Sequence, residues 1–184
     1  MLAGLFAQGK TVLQQLVPSR DHTERLLRQM GAALESDGSL ISLNPLTSPL
    51  RAISFTIPGD ISSAAYFLVA GAVHPDARIM VRGCGFNPTR TGIIDALLAM
   101  GAKLRIKNER MSGNEPVADI VVESSKLRGI ELGGEMIPRL IDEIPLLAVA
   151  GCFASGKTVI RDAAELRVKE SDRIATVSRE LTKM

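Results

Sequence analysis

"GCFASGKT", residues Gly151 to Thr158, satisfies the nucleotide-binding pattern G-x-x-x-x-G-K-[ST] letter for letter, and "GLFAQGKT", Gly4 to Thr11, satisfies it again. A phosphate-binding loop needs a strand before its glycines and a helix after them, because the anion rests on the helix N-terminus. Here the order is reversed. "IPLLAVAGCFA" carries helical-length apolar density before Gly156, whereas "KTVIRDA" alternates like a strand after it. The lysine therefore opens a strand with its amine in solvent, and the two matches read as turns of a repeated unit rather than as ATP sites.

The repeat extends outward from these turns. A helix ending in "GLFAQG" leads to strand "KTVLQQL" and a helix over 20–30; "AAYFLVAGAVHPD" leads to strand "ARIMVRG" and a helix over 89–100; "GCFASG" leads to "KTVIRDA" and a helix from near 170. The spacing is roughly 70 to 80 residues, too long and divergent for a short-period solenoid. Asp60 with Ser63, and Asn87 with Pro88 at the first helical position, read as helix starts. Asp21 with Glu24 reads as a capping box, and Gly31 as the C-cap of that helix. Strands "ARIMVRG", "AKLRIKN" and "ADIVVES" complete a βαβαββ unit over 52–123, and a second begins near "GIELGGEMIP", covering 129–184. The segment 35–50 loses helical periodicity and leads, through strands, to a crossing near Ile53. The expectation is an α/β chain (α+β in some schemes) of repeated βαβαββ units, with 1–51 finishing one domain and 52–184 starting another.

Composition removes several function classes. A chain of 184 residues that is 46% hydrophobic has material for a core, and no apolar run approaches bilayer length. A net charge of +2 with 3% aromatic residues argues against a nucleic-acid surface. Two cysteines, Cys84 and Cys152, and two histidines, His22 and His74, offer neither a disulfide framework nor metal-ligand spacing. The expectation is a cytoplasmic protein without metal or cofactor, with small anions as possible substrates.

The densest charge lies in "AAELRVKESDRIA", Ala163 to Ala175. With a helix starting near Lys169, Lys169 and Arg173 stand on one face at its N-terminal end, where the dipole disfavours cations and an anion would reverse the balance. Glu170 can pair with Arg173 or Arg167. A solvated charged turn is the competing reading. Asp142 and Glu143 in "RLIDEIPLLA" read as helix caps or, near a strand end, as proton acceptors. Arg20, Asp21 and His22 pose the same choice between cap and ligand-facing loop.

"SRDHTERLL", "IPGDISSAAYFLVAGA", "NPTRTGIIDALLAMGA", "LIDEIPLLAVA" and "AELRVKESDRIA" resemble the 5-enolpyruvylshikimate-3-phosphate (EPSP) synthase family, in family order and over essentially the whole chain. The resemblance implies two similar domains of three βαβαββ units each, with substrate in the cleft between them. It implies transfer of the enolpyruvyl group of phosphoenolpyruvate to the 5-hydroxyl of shikimate 3-phosphate, with release of phosphate, in aromatic amino-acid biosynthesis and without metal or organic cofactor. Carried across, Asp142 resembles the carboxylate that takes the hydroxyl proton and contacts the shikimate ring. Glu170 resembles the acid acting at the enolpyruvyl methylene, Lys169 a substrate contact, Arg173 a phosphoenolpyruvate ligand and Arg20 a shikimate 3-phosphate ligand. The family's early Lys-Ser and Arg, its Ser-Ala-Gln element, its "DHR" segment and its C-terminal lysine have no counterpart here. The expectation is a segment of a longer enzyme, inactive alone, that keeps anion binding at most or self-associates; a transferase acting on UDP-N-acetylglucosamine is the alternative within the same architecture.

Overall fold

The computed structural model describes residues 1–184 and shows the repeat as three successive units. The first runs from a 3-10 turn at Leu2–Phe6 through β1 (Thr11–Gln14), α1 (His22–Gln29), β2 (Leu34–Ser36) and β3 (Leu40–Leu43). Its antiparallel sheet has the order β1-β3-β2. The second holds α2 (Ile61–Val73), β4 (Arg78–Gly85), α3 (Gly92–Ala99), β5 (Lys103–Ser112) and β6 (Glu115–Glu123), in a sheet of order β4-β6-β5. Strand for strand, the two sheets have one topology.

The same local device turns both units from helix into sheet. α1 and α3 are followed by Met30-Gly31-Ala32 and Met100-Gly101-Ala102, and the glycines take φ of +94° and +89°, the left-handed region that glycine enters without a Cβ penalty. The next N–H then reaches back to the last turn: Ala32 to the Leu27 carbonyl and Ala102 to the Leu97 carbonyl, both at 2.9 Å. Leu34 and Leu104, two residues on, point into the core.

The third unit contains β7 (Glu131–Leu132), α4 (Met136–Leu140), a 3-10 turn (Ile141–Glu143), α5 (Ile144–Cys152), β8 (Val159–Ile160), a 3-10 turn (Ala164–Arg167) and α6 (Arg173–Thr182). β7 and β8 pair in parallel, as a strand–helix–strand crossover requires. "GCFASGKT" is the turn between α5 and β8: Gly156 has φ of +86°, Lys157 is exposed, and a strand follows instead of a helix. Lys10 is likewise exposed ahead of β1. Neither segment has phosphate-loop geometry.

α2 and α3 pack on the second sheet, and α4 and α5 pack on those helices, around Leu68, Ile93, Leu97, Met100, Ile120, Leu140 and Leu147, while Leu5, Leu27, Leu34, Ile41 and Leu43 form a smaller, separate cluster in the first unit. Polar contacts join the two. His22 Nδ1 lies 2.7 Å from Glu115, Asn87 donates to Asp21 at 2.7 Å, and Arg25 and Asn114 exchange side-chain-to-carbonyl bonds at 3.1 and 3.2 Å. No helix is long and apolar enough to cross a membrane.

Several expected helix starts differ. Asp60 does cap α2, accepting from the Ser63 N–H at 2.9 Å. Asn87 does not cap α3, which begins at Gly92; buried, it accepts from Thr89 N–H at 2.9 Å and donates to Asp21 and Glu115. Asp21 precedes α1 but makes no capping bond, because its carboxylate is taken by Arg25 and Asn87, and Glu24 turns inward. α6 begins at Arg173, not near Lys169, because Asp172 caps it through the Ala175 N–H at 2.9 Å. The first strand expected of the unit over 52–123 is reduced to one parallel bridge, Gly59 to Cys84. Pro58 supplies no N–H there, and β4 bends where its register shifts between Val81 and Cys84 and Gly83 takes φ of +63°.

Gly129 shows how closely the parallel pair approaches: a Cβ built there would lie 2.3 Å from the Lys157 carbonyl oxygen. Backbone cannot rotate away as a side chain can. Gly129→Ala is expected to cost about 1–3 kcal/mol through overpacking, read as a lower denaturant midpoint with an unchanged slope.

Candidate active site

Three chain segments deliver the charged residues singled out in the sequence. The loop after β1 brings Arg20, the 3-10 turn between α4 and α5 brings Asp142, and the loop from β8 into α6 brings Lys169, Glu170 and Arg173. Asp142 stands between two guanidiniums: Arg20 Nη2 donates to Oδ2, and Arg173 Nη1 donates to Oδ1 at 3.2 Å. Arg173 then donates through Nη2 to Glu170 Oε2 at 2.6 Å. Four of the five residues thus form one continuous chain. Lys169 is the exception, paired with Glu165 at 2.5 Å, although its charge still acts on Asp142.

Neither Asp142 nor Glu143 makes a capping hydrogen bond, so the cap reading of this pair does not hold. Their environments push them apart. Burial raises the pKa of Asp142, but the hydrogen bonds and charges of Arg20 and Arg173, with the charge of Lys169, outweigh it and hold the carboxyl below its ordinary value. Glu143 is only 2% exposed; burial pushes its pKa up despite a hydrogen bond from Ser62 and the nearby Arg90. Glu170 is held low by its own backbone N–H and by Arg173. Asp142 and Glu170, two carboxylates linked through one arginine, are placed to exchange protons with bound anions, while Glu143 faces away from that arginine toward Ser62.

The site opens into a groove of about 700 Å³ between α2, α5 and α6, polar at the end formed by Asp142, Glu170 and Arg173 and apolar along Tyr66, Leu146 and Val149. No cluster of three or more His, Cys, Asp or Glu is arranged to hold a metal ion. Burial pushes the Cys84 thiol up to about 11, out of nucleophilic range. His22 faces Glu115 and Asn87 at the junction of the first two units, away from any nucleophile.

Sequence reasoning passed over Ser62 and Arg90. The signal for Arg90 lay in the repeat itself: "NPTRT" follows β4 as "SRDHT" follows β1, and each loop carries one arginine toward the carboxylates.

Comparison with known proteins bears on this arrangement. The family model described as EPSP synthase (3-phosphoshikimate 1-carboxyvinyltransferase) matches residues 1–184. A 3-phosphoshikimate 1-carboxyvinyltransferase of Gloeobacter violaceus is 56% identical over the whole chain, which covers 42% of that relative; one of Bacillus subtilis is 52% identical, with 43% of its length covered. The chain therefore spans less than half the length of the curated relatives it matches. An EPSP synthase structure from Acinetobacter baumannii superposes with a TM-score of 0.90 and 46% identity, over 98% of this chain and 41% of that one. The enolpyruvyl transferase NikO from Streptomyces tendae, at 24% identity and a TM-score of 0.68, shares the fold.

The Asp142 arrangement has a defined pH signature. Its folded-state pKa is depressed, so its stabilisation is complete above the ordinary carboxylate range and is lost as pH falls through the folded value. Asp142→Asn is expected to lower stability at pH 7 by about 1 kcal/mol, a modest value because all three side chains are partly exposed. Denaturant titrations of both proteins should show the gap narrowing below about pH 4; a gap independent of pH would contradict it.

Proposed function

The chain belongs to the EPSP synthase family, and on that premise we propose that it carries one face of a site transferring the enolpyruvyl group of phosphoenolpyruvate to the 5-hydroxyl of shikimate 3-phosphate. The carrying observation is the chain from Arg20 through Asp142 and Arg173 to Glu170. Asp142 takes the proton of the attacking hydroxyl and holds the shikimate ring. Glu170 serves the proton that enters and leaves the enolpyruvyl methylene. Arg20 and Lys169 neutralise shikimate 3-phosphate, and Arg173 binds phosphoenolpyruvate. The substituted carbon passes through a tetrahedral intermediate from which phosphate departs.

The physical logic is electrostatic. Both substrates are anions, and fixed cations stabilise charge that would otherwise need reorganised water. Held between two arginines, Asp142 is a weak base; when substrate phosphate and carboxylate engage those arginines, its proton affinity rises at the moment a base is needed. In this reading residues 1–51 and 52–184 belong to two domains whose approach orients the reactants.

Calorimetric titration with shikimate 3-phosphate, with and without phosphoenolpyruvate, tests the assignment. Saturable binding is expected, weakened roughly 10- to 100-fold by Arg20→Ala or Lys169→Ala, the range for loss of a charge-assisted hydrogen bond. A folded chain that binds neither substrate, or binds a UDP-sugar instead, would refute it.

Self-association is a second property favoured by a specific observation. Leu2, Phe6 and Val12 are 65%, 82% and 53% exposed on the first unit, and Leu40 on β3 is 43% exposed beside β1. Exposed apolar side chains on the outer sheet face and on the 3-10 turn favour a partner, and we propose a second copy of the chain as that partner. Light scattering across concentration should show a rising mean mass; a constant monomer mass would count against it.

A further inference from the structure

Glu143 is a buried carboxylate that the proposed chemistry does not use. It ends the 3-10 turn Ile141–Glu143, directly after Asp142, and that turn has no side-chain capping bond at either boundary. Its tether runs instead to two other elements. Ser62 Oγ, in the first turn of α2, donates to Glu143 Oε1. Arg90 Nη2, from the loop between β4 and α3, donates to Ser62 Oγ at 2.6 Å and lies 4.0 Å from Glu143 Oε1 and 3.4 Å from Asp60 Oδ1. The order Arg90, Ser62, Glu143 is a relay of donors ending on the residue next to Asp142.

Burying a carboxylate is costly, and a well-packed apolar residue generally stabilises as much. A charge retained at such a position needs a structural reason. The repeat supplies one. The loops after β1, β4 and β8 each bring one arginine, Arg20, Arg90 and Arg173, to the pair Asp142–Glu143. Two of them hold Asp142. The third reaches Glu143 through Ser62, so each member of the pair is held by its own set of bonds and the turn cannot rotate without breaking one of them.

We propose that Glu143 is a positioning residue: the Arg90–Ser62–Glu143 relay fixes the 3-10 turn so that the Asp142 carboxylate is presented to Arg20 and Arg173. The groups facing the pair are Ser62, Asp60 and Arg90 on the α2 side, and Arg20, Lys169, Glu170 and Arg173 on the other. The functional consequence rests on the reading of Asp142 as proton acceptor, but the geometry can be tested without substrate.

Carbon-13 NMR titration of the Asp142 carboxyl in the full chain reads that geometry. In the parent protein the guanidiniums of Arg20 and Arg173 hold the Asp142 carboxyl below the ordinary aspartate value. Glu143→Ala removes the tether, and its Asp142 titration is expected to rise toward the ordinary aspartate value. Glu143→Gln keeps an acceptor for Ser62, and Glu143 is already protonated in the range where Asp142 titrates, so Asp142 should titrate at the parental value. Ser62→Ala breaks the relay at its middle with the loss of one hydroxyl, and a smaller rise in the same direction is expected. It also decides the matter if Glu143→Ala does not fold. An Asp142 titration unmoved by Ser62→Ala, and by Glu143→Ala where that variant folds, would overturn the proposal. The measurement contains no ligand, so failure of shikimate 3-phosphate to bind would refute the proposed function and leave this result standing.

Discussion

A carboxylate held between two guanidiniums, one 122 residues before it and the other 31 after, is the contact on which the arrangement of the site depends. The direction of the Asp142 shift says which force prevails there. Burial alone would push the proton onto the carboxyl, and two arginines with a nearby lysine overcome it. The same arginine that stabilises Asp142 also holds Glu170, so the two carboxylates are linked through one cation. Because these side chains are partly exposed, the gain lies less in folding energy than in orientation.

Repetition explains how distant segments reach this point. In each unit a strand, β1, β4 or β8, leads through a loop into a helix, α1, α3 or α6, and the first two units also share their glycine helix ends and sheet order. An arginine near the end of such a loop is therefore carried to an equivalent place three times. Local differences then separate the roles. Arg173 is the first residue of α6 and is set by the Asp172 cap, whereas Arg90 sits just ahead of Thr91 and reaches toward the start of α2.

The repeat was legible because it is written in local signals: helix, glycine turn and alternating strand need only neighbouring residues. Asp60 was legible as a cap for the same reason, since its partner Ser63 is three residues away. Asn87, Asp21 and Glu24 were not. Asn87 and Asp21 are 66 residues apart and satisfy each other, which removes both from the capping roles their local patterns suggest. The start of α6 was misplaced because Lys169 and Asp172 both fit a helix entrance by spacing, and the backbone chose the residue whose carboxylate could reach the Ala175 N–H. Four of the five residues given roles by resemblance are joined in one chain, with Lys169 paired elsewhere, but the partnership of Ser62, Arg90 and Glu143 spans 81 residues and has no linear pattern.

The two carboxylates beside each other illustrate why spacing alone could not assign them. Asp142 and Glu143 share a turn, a charge and an ordinary acidity, and pattern gives both the same status. Their protonation diverges because one faces arginines in direct contact and the other is itself buried and faces only a hydroxyl at hydrogen-bond distance. A ligand anion that drew Arg20 or Arg173 away would move Asp142 toward the protonated form, and by reciprocity a protonated Asp142 would release those arginines to the anion. Glu143, tied to α2, would keep the turn in place during that exchange. In the proposed chemistry the group whose charge changes is thus distinct from the group that holds it still.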